Sequence, residues 1–296
     1  MKTIERMKQD LGFEQIILPF FQMLRGANAA DIARLRSSVL EERGKFAHSG
    51  TTIVGFMYSH GIVMAADRQT SFGWHKSIET VKLKQVGTHS VIGMAGMCAC
   101  IQETERQLVI NTKHLAQFLE KDLYIEAQGK LLERILKANF LSLGFLEEIL
   151  GYIAVPILGG VNPQQQIACL YSFDGAGAIT DLVSTSTKYD SVGSGSLYAK
   201  TVLDRKWKAK CTEEEALLLA VEAVYAAGSR DMGSAPAHIA PPTVAFITTD
   251  GVAFVPQEKT IEIATNFYID DLVRRGGNAD DYVIVKPIIK KEEKQP

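Results

Sequence analysis

Ser49-Gly50-Thr51-Thr52-Ile53-Val54-Gly55-Phe56 decides how the rest of the chain is read. A strand begins at paired threonines that follow a glycine, and a second apolar run, Gly61 to Ala66, ends on an acid, Asp67. At its simplest this is a β-hairpin that turns over Met57 to Gly61. The same residues carry a second possibility. A break after Gly50 would give Thr51 a free α-amine beside its own hydroxyl, so one residue would hold both a nucleophile and its base.

Composition narrows the field. The 296 residues are 46% hydrophobic and 22% charged, with 13 Phe and 9 Pro, which predicts a packed globular core. The formal charge of -2, from 32 basic and 34 acidic residues, gives no basic field for nucleic acid. The four cysteines, Cys98, Cys100, Cys169 and Cys211, are sparse, which fits a reducing compartment, and the close pair Cys98 and Cys100 in an apolar small-residue run reads as packing groups. The six histidines are scattered, with no H-E-x-x-H motif, so no metal centre and no cofactor is expected. The first fifteen residues mix charges without a continuous apolar core and are not expected to be a secretory signal. No apolar run is long enough to span a bilayer, so no membrane partner is expected and a cytoplasmic location is. The mixed run Lys290-Lys291-Glu292-Glu293-Lys294 reads as a solvated end.

Residues 1–50 differ in character from the rest of the chain. Ile16 to Phe21 is an apolar patch, and residues 29–43 predict a helix stopped by Gly44. Beyond Thr51 the pattern predicts strands over 52–58, 61–66, 80–86 and 90–94, then helices over 101–121 and 125–143. Strands return at 152–158, 166–172 and 178–184. A Gly193-Ser194-Gly195-Ser196 turn leads into a helix over 197–206. Thr212 with Glu215 three residues on is a capping box for an apolar helix through Ala227. A hairpin over 243–255 and a helix over 259–275 close the pattern, with Gly276-Gly277 as the stop. There is no fixed-period repeat and no dinucleotide-binding glycine motif. Helices in blocks beside antiparallel hairpins predict an α+β fold, a four-layer α-β-β-α sandwich of two antiparallel sheets.

The segments TTIVGFMYSHGIVMAADRQTS, VKLKQVG, IGMAG, YDSVGSGSLYAK and SRDMGSAP, in that order over about residues 51–275, strongly resemble a bacterial 20S proteasome β subunit, a member of the N-terminal nucleophile hydrolases. The resemblance implies that fold, a threonine peptidase activity, and a domain division into a self-removed propeptide, 1–50, and a catalytic domain with a C-terminal extension, 51–296. It implies that Thr51 attacks the scissile carbonyl, with its freed amine as proton acceptor. Gly50 is then the residue at the processing bond, which family members cut with the same hydroxyl.

Asp67 matches the acid that orients a lysine. An ungapped count from Thr51 places the lysine at Leu83, whereas a count back from Gly96 places it at Lys82. A one-residue deletion between Gly73 and Thr80 reconciles the two, so Lys82 is assigned, with Lys84 as the fallback. Ser194, Asp231 and Ser234 match the residues that hold the threonine amine and its water. Gly96 matches the glycine whose N–H stabilises the oxyanion, where a side chain would crowd the substrate.

The same alignment makes Thr70, Thr80, Met94 and Cys98 the candidate walls of the specificity pocket, which implies a preference for cleavage after bulky apolar residues. Lys84, close by, would weaken that preference. Two departures from the family pattern are visible: Gln69 where many members have Arg, and Lys82-Leu83-Lys84 in place of adjacent lysines. The implied partners are further copies of this chain in heptameric rings (14 β subunits), α-subunit rings, an ATPase unfoldase and polypeptide substrates, with helices 101–143 at the ring-to-ring contact. The competing readings are a six-membered-ring protease subunit fed by an unfoldase, which is usually shorter, and a non-catalytic structural ring subunit.

Overall fold

The computed structural model describes residues 48–72, 75–77, 80–143 and 153–278, all within a compact unit spanning 46–296. The apolar patch at 16–21, the helix expected over 29–43 and the charged run at 290–294 lie outside the described residues.

Two antiparallel sheets form the centre. One has the order β1 (His48–Ser49), β7 (Ser90–Met97), β8 (Ala154–Asn162), β9 (Ile167–Phe173) and β10 (Ile179–Asp181), with β6 (Leu83–Gly87) also paired to β7. The other has the order β11 (Tyr189–Val192), β2 (Ile53–Tyr58), β3 (Gly61–Ala66), β12 (Thr243–Thr248) and β13 (Gly251–Phe254). A small separate hairpin joins β4 (Thr70–Phe72) to β5 (His75–Ser77).

Strand alternation produces the layering. Because successive side chains leave a strand on opposite faces, β2 sends Ile53 one way and Val54 and Phe56 the other. Ile53 joins Ile62, Met64, Val91, Ile157, Leu170 and Ile247 between the sheets. Val54 and Phe56 join Val63 and Phe246 against helices α3 (Ser196–Lys206), α4 (Glu213–Gly228) and α5 (Gln257–Arg274). On the far side, Ile92, Leu158 and Phe173 pack against Leu108 of α1 (Cys98–Leu119) and Leu132 and Leu136 of α2 (Ile125–Leu143). Three apolar seams between four layers give the expected α-β-β-α sandwich. Each seam buries apolar area worth about 25 cal/mol per Å² before conformational entropy is subtracted.

Local chemistry fixes individual elements. The capping box forms: the Thr212 hydroxyl accepts from the Glu215 N–H at 3.2 Å, and the Glu215 carboxylate accepts from the Thr212 N–H at 2.8 Å. The hairpin turn is tighter than the sequence suggests, since Tyr58 pairs with Gly61 and only Ser59 and His60 bridge the strands.

Several expectations are corrected. The strand expected over 178–184 is three residues long. It ends where the Asp181 carboxylate accepts from the Val183 N–H at 3.0 Å and starts a 3₁₀ turn over Leu182–Ser184. Gly159-Gly160, just past the strand expected over 152–158, lies inside β8, where a methyl group would meet Ile62 and Met64 at the first position and Ile125 at the second. Tyr189–Val192 is a strand that the sequence pattern did not reveal.

Among the described residues no helix is long and apolar enough to cross a membrane. Apolar side chains on the outer helices nonetheless remain uncovered: Ile110, Leu115, Phe118 and Leu119 of α1 and Phe140 of α2, with Phe118 84% exposed.

Candidate active site

The end of β3 and the approach to β2 bring the predicted residues together. Antiparallel pairing sets Ile53 opposite Ala66, so Thr51 and Thr52, just before β2, face Asp67, just after β3. One backbone and one backbone-to-carboxylate hydrogen bond lock this crossing: the Asp67 N–H donates to the Thr52 carbonyl at 3.1 Å, and the Thr52 N–H donates to Asp67 Oδ1 at 2.8 Å.

Lys82 enters from the residue before β6. Its Nζ donates to Asp67 Oδ1 at 2.7 Å, to Thr51 Oγ1 at 2.9 Å and to the Gly50 carbonyl oxygen at 2.8 Å. An ammonium has three N–H donors, and these acceptors use all of them. Both side chains of the ion pair are almost wholly buried. Burial lowers the Lys82 pKa, and the attraction and hydrogen bond of Asp67 oppose that shift only in part. Asp67 is fixed from its other oxygen, since Oδ2 accepts from the Gln69 N–H at 2.9 Å and the Ala235 N–H at 3.1 Å. A buried pair of this kind is tolerable because its remaining hydrogen-bonding capacity is filled.

Around the Thr51 nitrogen runs a second network. The Thr51 N–H donates to Ser194 Oγ at 3.1 Å, and Ser194 Oγ donates to Asp231 Oδ2 at 2.7 Å. Ser234 Oγ donates to the same carboxylate oxygen at 2.7 Å and lies 2.7 Å from Thr52 Oγ1. The other oxygen, Oδ1, accepts from the Gly233 N–H at 3.1 Å. Asp231 therefore gathers two serine hydroxyls that flank the paired threonines. Gly193 allows this approach: its φ is +100°, and a methyl group there would lie 2.1 Å from the Thr51 carbonyl oxygen.

The register pairs Gly96 with Ser49, while the Gly50 oxygen is held by Lys82. The fold itself also requires glycine there. At φ +133° a methyl group would sit 2.0 Å from the Ile153 carbonyl oxygen, so the crowding comes from the protein's own backbone.

The expected pocket residues come from β4, the approach to β6, β7 and the start of α1. The Thr70 and Thr80 hydroxyls are 2.7 Å apart and hydrogen-bonded, with Thr70 the donor. Met94 is buried in the seam beneath α1 and α2. Cys98 is half-buried at the start of α1. Burial raises its thiol pKa, and the Lys82 charge pulls it back down. A recess of about 400 Å³ is lined by Ala95, Val155 and Val192 together with Gly96, Gly193 and Ser194, and Thr70, Thr80, Met94 and Cys98 do not line it. Lys84 pairs with Glu105 at 3.5 Å on the surface, away from the Asp67 pair assigned to Lys82.

Sequence reasoning passed over two contributors. Thr52 supplies an N–H to Asp67 and a hydroxyl to Ser234. Gln69 donates from Nε2 to the Met232 carbonyl at 2.9 Å. The doubled threonine was a visible signal for the first, and the departure from Arg for the second.

A four-layer sandwich with a threonine, a buried lysine–aspartate pair and a serine–aspartate network at one end of its sheets has the architecture of the N-terminal nucleophile hydrolases. The chain belongs to the proteasome subunit family: the family described as "Proteasome subunit" matches residues 47–239. It is 28% identical to proteasome subunit beta 2 of Thermomonospora curvata, with 72% of this chain and 75% of that one covered. It is 31% identical to the proteasome subunit beta of Halorubrum lacusprofundi, over 69% and 76%. To the proteasome subunit beta of Frankia alni it is 28% identical, over 77% and 81%.

Proposed function

We propose that this chain is a threonine endopeptidase of a proteasome core particle. It frees its own nucleophile by cutting Gly50-Thr51 and then degrades unfolded polypeptides inside a ring chamber. The observation that carries the reading is the triple contact of Lys82 Nζ with Thr51 Oγ1, the Gly50 oxygen and Asp67.

In the uncut chain, Thr51 Oγ1 attacks the Gly50 carbonyl carbon. The C–N bond breaks, the acyl group passes to oxygen as an ester, and the hydroxyl proton ends on the nitrogen, which becomes an amine. Water then cleaves the ester, leaving a Gly50 carboxylate on the departing 1–50 segment and a free hydroxyl on Thr51. The cation beside the Gly50 oxygen favours the negative charge that develops there.

In the mature enzyme the same hydroxyl attacks a substrate carbonyl. The new amine, placed where the Thr51 N–H now meets Ser194, takes the hydroxyl proton and returns it to the leaving nitrogen. Lys82 stays cationic and lowers the proton affinity of the pair. The pairing of His48–Ser49 with β7 at Met97 and Gly96 is the model for the acyl side of a substrate, which would add as a strand to the same edge.

Thr70, Thr80, Met94 and Cys98 are proposed to shape the preference for bulky apolar residues before the cut. The uncovered apolar residues of α1 and α2 suit burial between stacked heptameric β rings, with α rings and an ATPase unfoldase controlling entry in the cytoplasm. Replacing Thr51 with Ala tests the activity. The expected outcome is a full-length, assembled protein without peptide hydrolysis, and turnover retained by that variant contradicts the reading.

A further inference from the structure

Asp231 and Ser234 sit on a short loop whose support is unusual. The side chain of Met232, at its tip, is 78% exposed and gives the loop no apolar anchor. On one side the loop leans on the leader, since a methyl group on Gly50 would lie 2.3 Å from Gly233 Cα, and one on Gly233 would lie 2.8 Å from Gly50 Cα. On the other side it is tied to the end of β3. The Ala235 N–H reaches Asp67 Oδ2, and the Met232 carbonyl accepts from Gln69 Nε2. Gln69 is 1% exposed, so its amide has little access to water as an alternative partner, and leaving this partly buried hydrogen bond unmade is costly.

We propose that Gln69 is a positioning residue that holds the Asp231–Ser234 loop against Thr51 after the leader has gone. The inference rests on the proposed cleavage at Gly50-Thr51. Before the cut the tip, Met232–Gly233, has the Gly50 backbone and the Gln69 amide against it, while Ser194 and Asp67 hold the ends of the loop at Asp231 and Ala235. After it, Gly50 departs and Gln69 takes over the holding of the tip. The amide does so without adding charge to a cluster that already contains Lys82, Asp67 and Asp231. Self-processing and turnover therefore depend on Gln69 to different extents.

The test uses the full chain carrying Gln69→Glu, which keeps the shape but loses the donor when ionised, and Gln69→Leu, which lacks it at every pH. Processing is followed by intact mass and turnover by steady-state peptide hydrolysis. Both variants should lose residues 1–50 at nearly the wild-type rate. Both should then show kcat reduced about tenfold at neutral pH with KM within about twofold, the pattern of a lost transition-state arrangement. Gln69→Glu should regain activity as pH falls and its protonated carboxyl again donates to Met232, whereas Gln69→Leu should not.

Wild-type kcat and pH profile in both variants overturn the proposal, as do equal losses in processing and turnover. A wild-type protein that keeps residues 1–50 and shows no Thr51-dependent hydrolysis removes the underlying reading and this one with it. An active wild type with unaltered variants removes this one alone.

Discussion

Lys82 Nζ lies 2.9 Å from Thr51 Oγ1 while it also holds the oxygen of the peptide bond that Thr51 would attack. One cation thus touches the nucleophile and the electrophile of the proposed self-cleavage. Substituting Lys82 with Ala should abolish processing and reduce peptide hydrolysis by about 10²–10³-fold, the usual size of losing a preorganised donor. It should also cost about 3 kcal/mol of stability, the low end for breaking a buried pair, because Asp67 keeps its three backbone N–H partners. Denaturant titration and a peptidase assay on the same preparation read both effects.

The lowered pKa of Lys82 gives pH dependence of two opposite signs. The lysine loses its proton below the ordinary value of 10.5, so the alkaline limb of turnover should fall before the usual lysine range. The unfolded chain, with its ordinary lysine, binds more protons than the folded chain between the lowered pKa and 10.5. Over that window this group's contribution to stability therefore rises with pH and is lost as pH falls through the folded pKa. Comparing wild type with Lys82→Met in melting and rate profiles isolates both trends.

Gly193→Ala should assemble poorly or lose nearly all activity. Its methyl group would need to displace the Thr51 carbonyl from 2.1 Å, and its φ of +100° is strained for any L side chain. Circular dichroism melting and peptide hydrolysis check this. A variant with wild-type turnover contradicts the role of that close approach.

Thr212→Ala makes the contrasting prediction. It breaks a capping box on α4, away from the proposed chemistry, and should cost about 1 kcal/mol while leaving kcat unchanged. Thermal melting beside a peptidase assay reads both.

Specificity is read from peptides that differ only at the residue before the cut. Fastest release after Phe, Leu or Tyr is expected, and fastest release after Arg or Glu contradicts the assignment of Thr70, Thr80, Met94 and Cys98.

The fold was legible where period and capping agree. The hairpin at β2 and β3, the amphipathic α1 and α2, and the Thr212–Glu215 start of α4 all follow from local chemistry. It was illegible where tertiary packing overrides local signals. Gly159-Gly160 looks like a terminus but serves as the thin centre of a strand that other side chains press against. The meeting of Lys82 with Thr51 needed the family pattern, because residues 31 apart come together through pairing between and within two sheets that periodicity does not specify. Gln69 carried no signal of its partner, since a main-chain carbonyl 163 positions away has no sequence identity to read.

The central claim is that Thr51 becomes the first residue of the working enzyme. Intact mass and N-terminal sequencing of the assembled wild-type protein test it most directly. The wild type should lose residues 1–50 and begin at Thr51, and Thr51→Ala should show no such loss. An active wild-type assembly that retains Met1–Gly50, or one cut at any other bond, would contradict it.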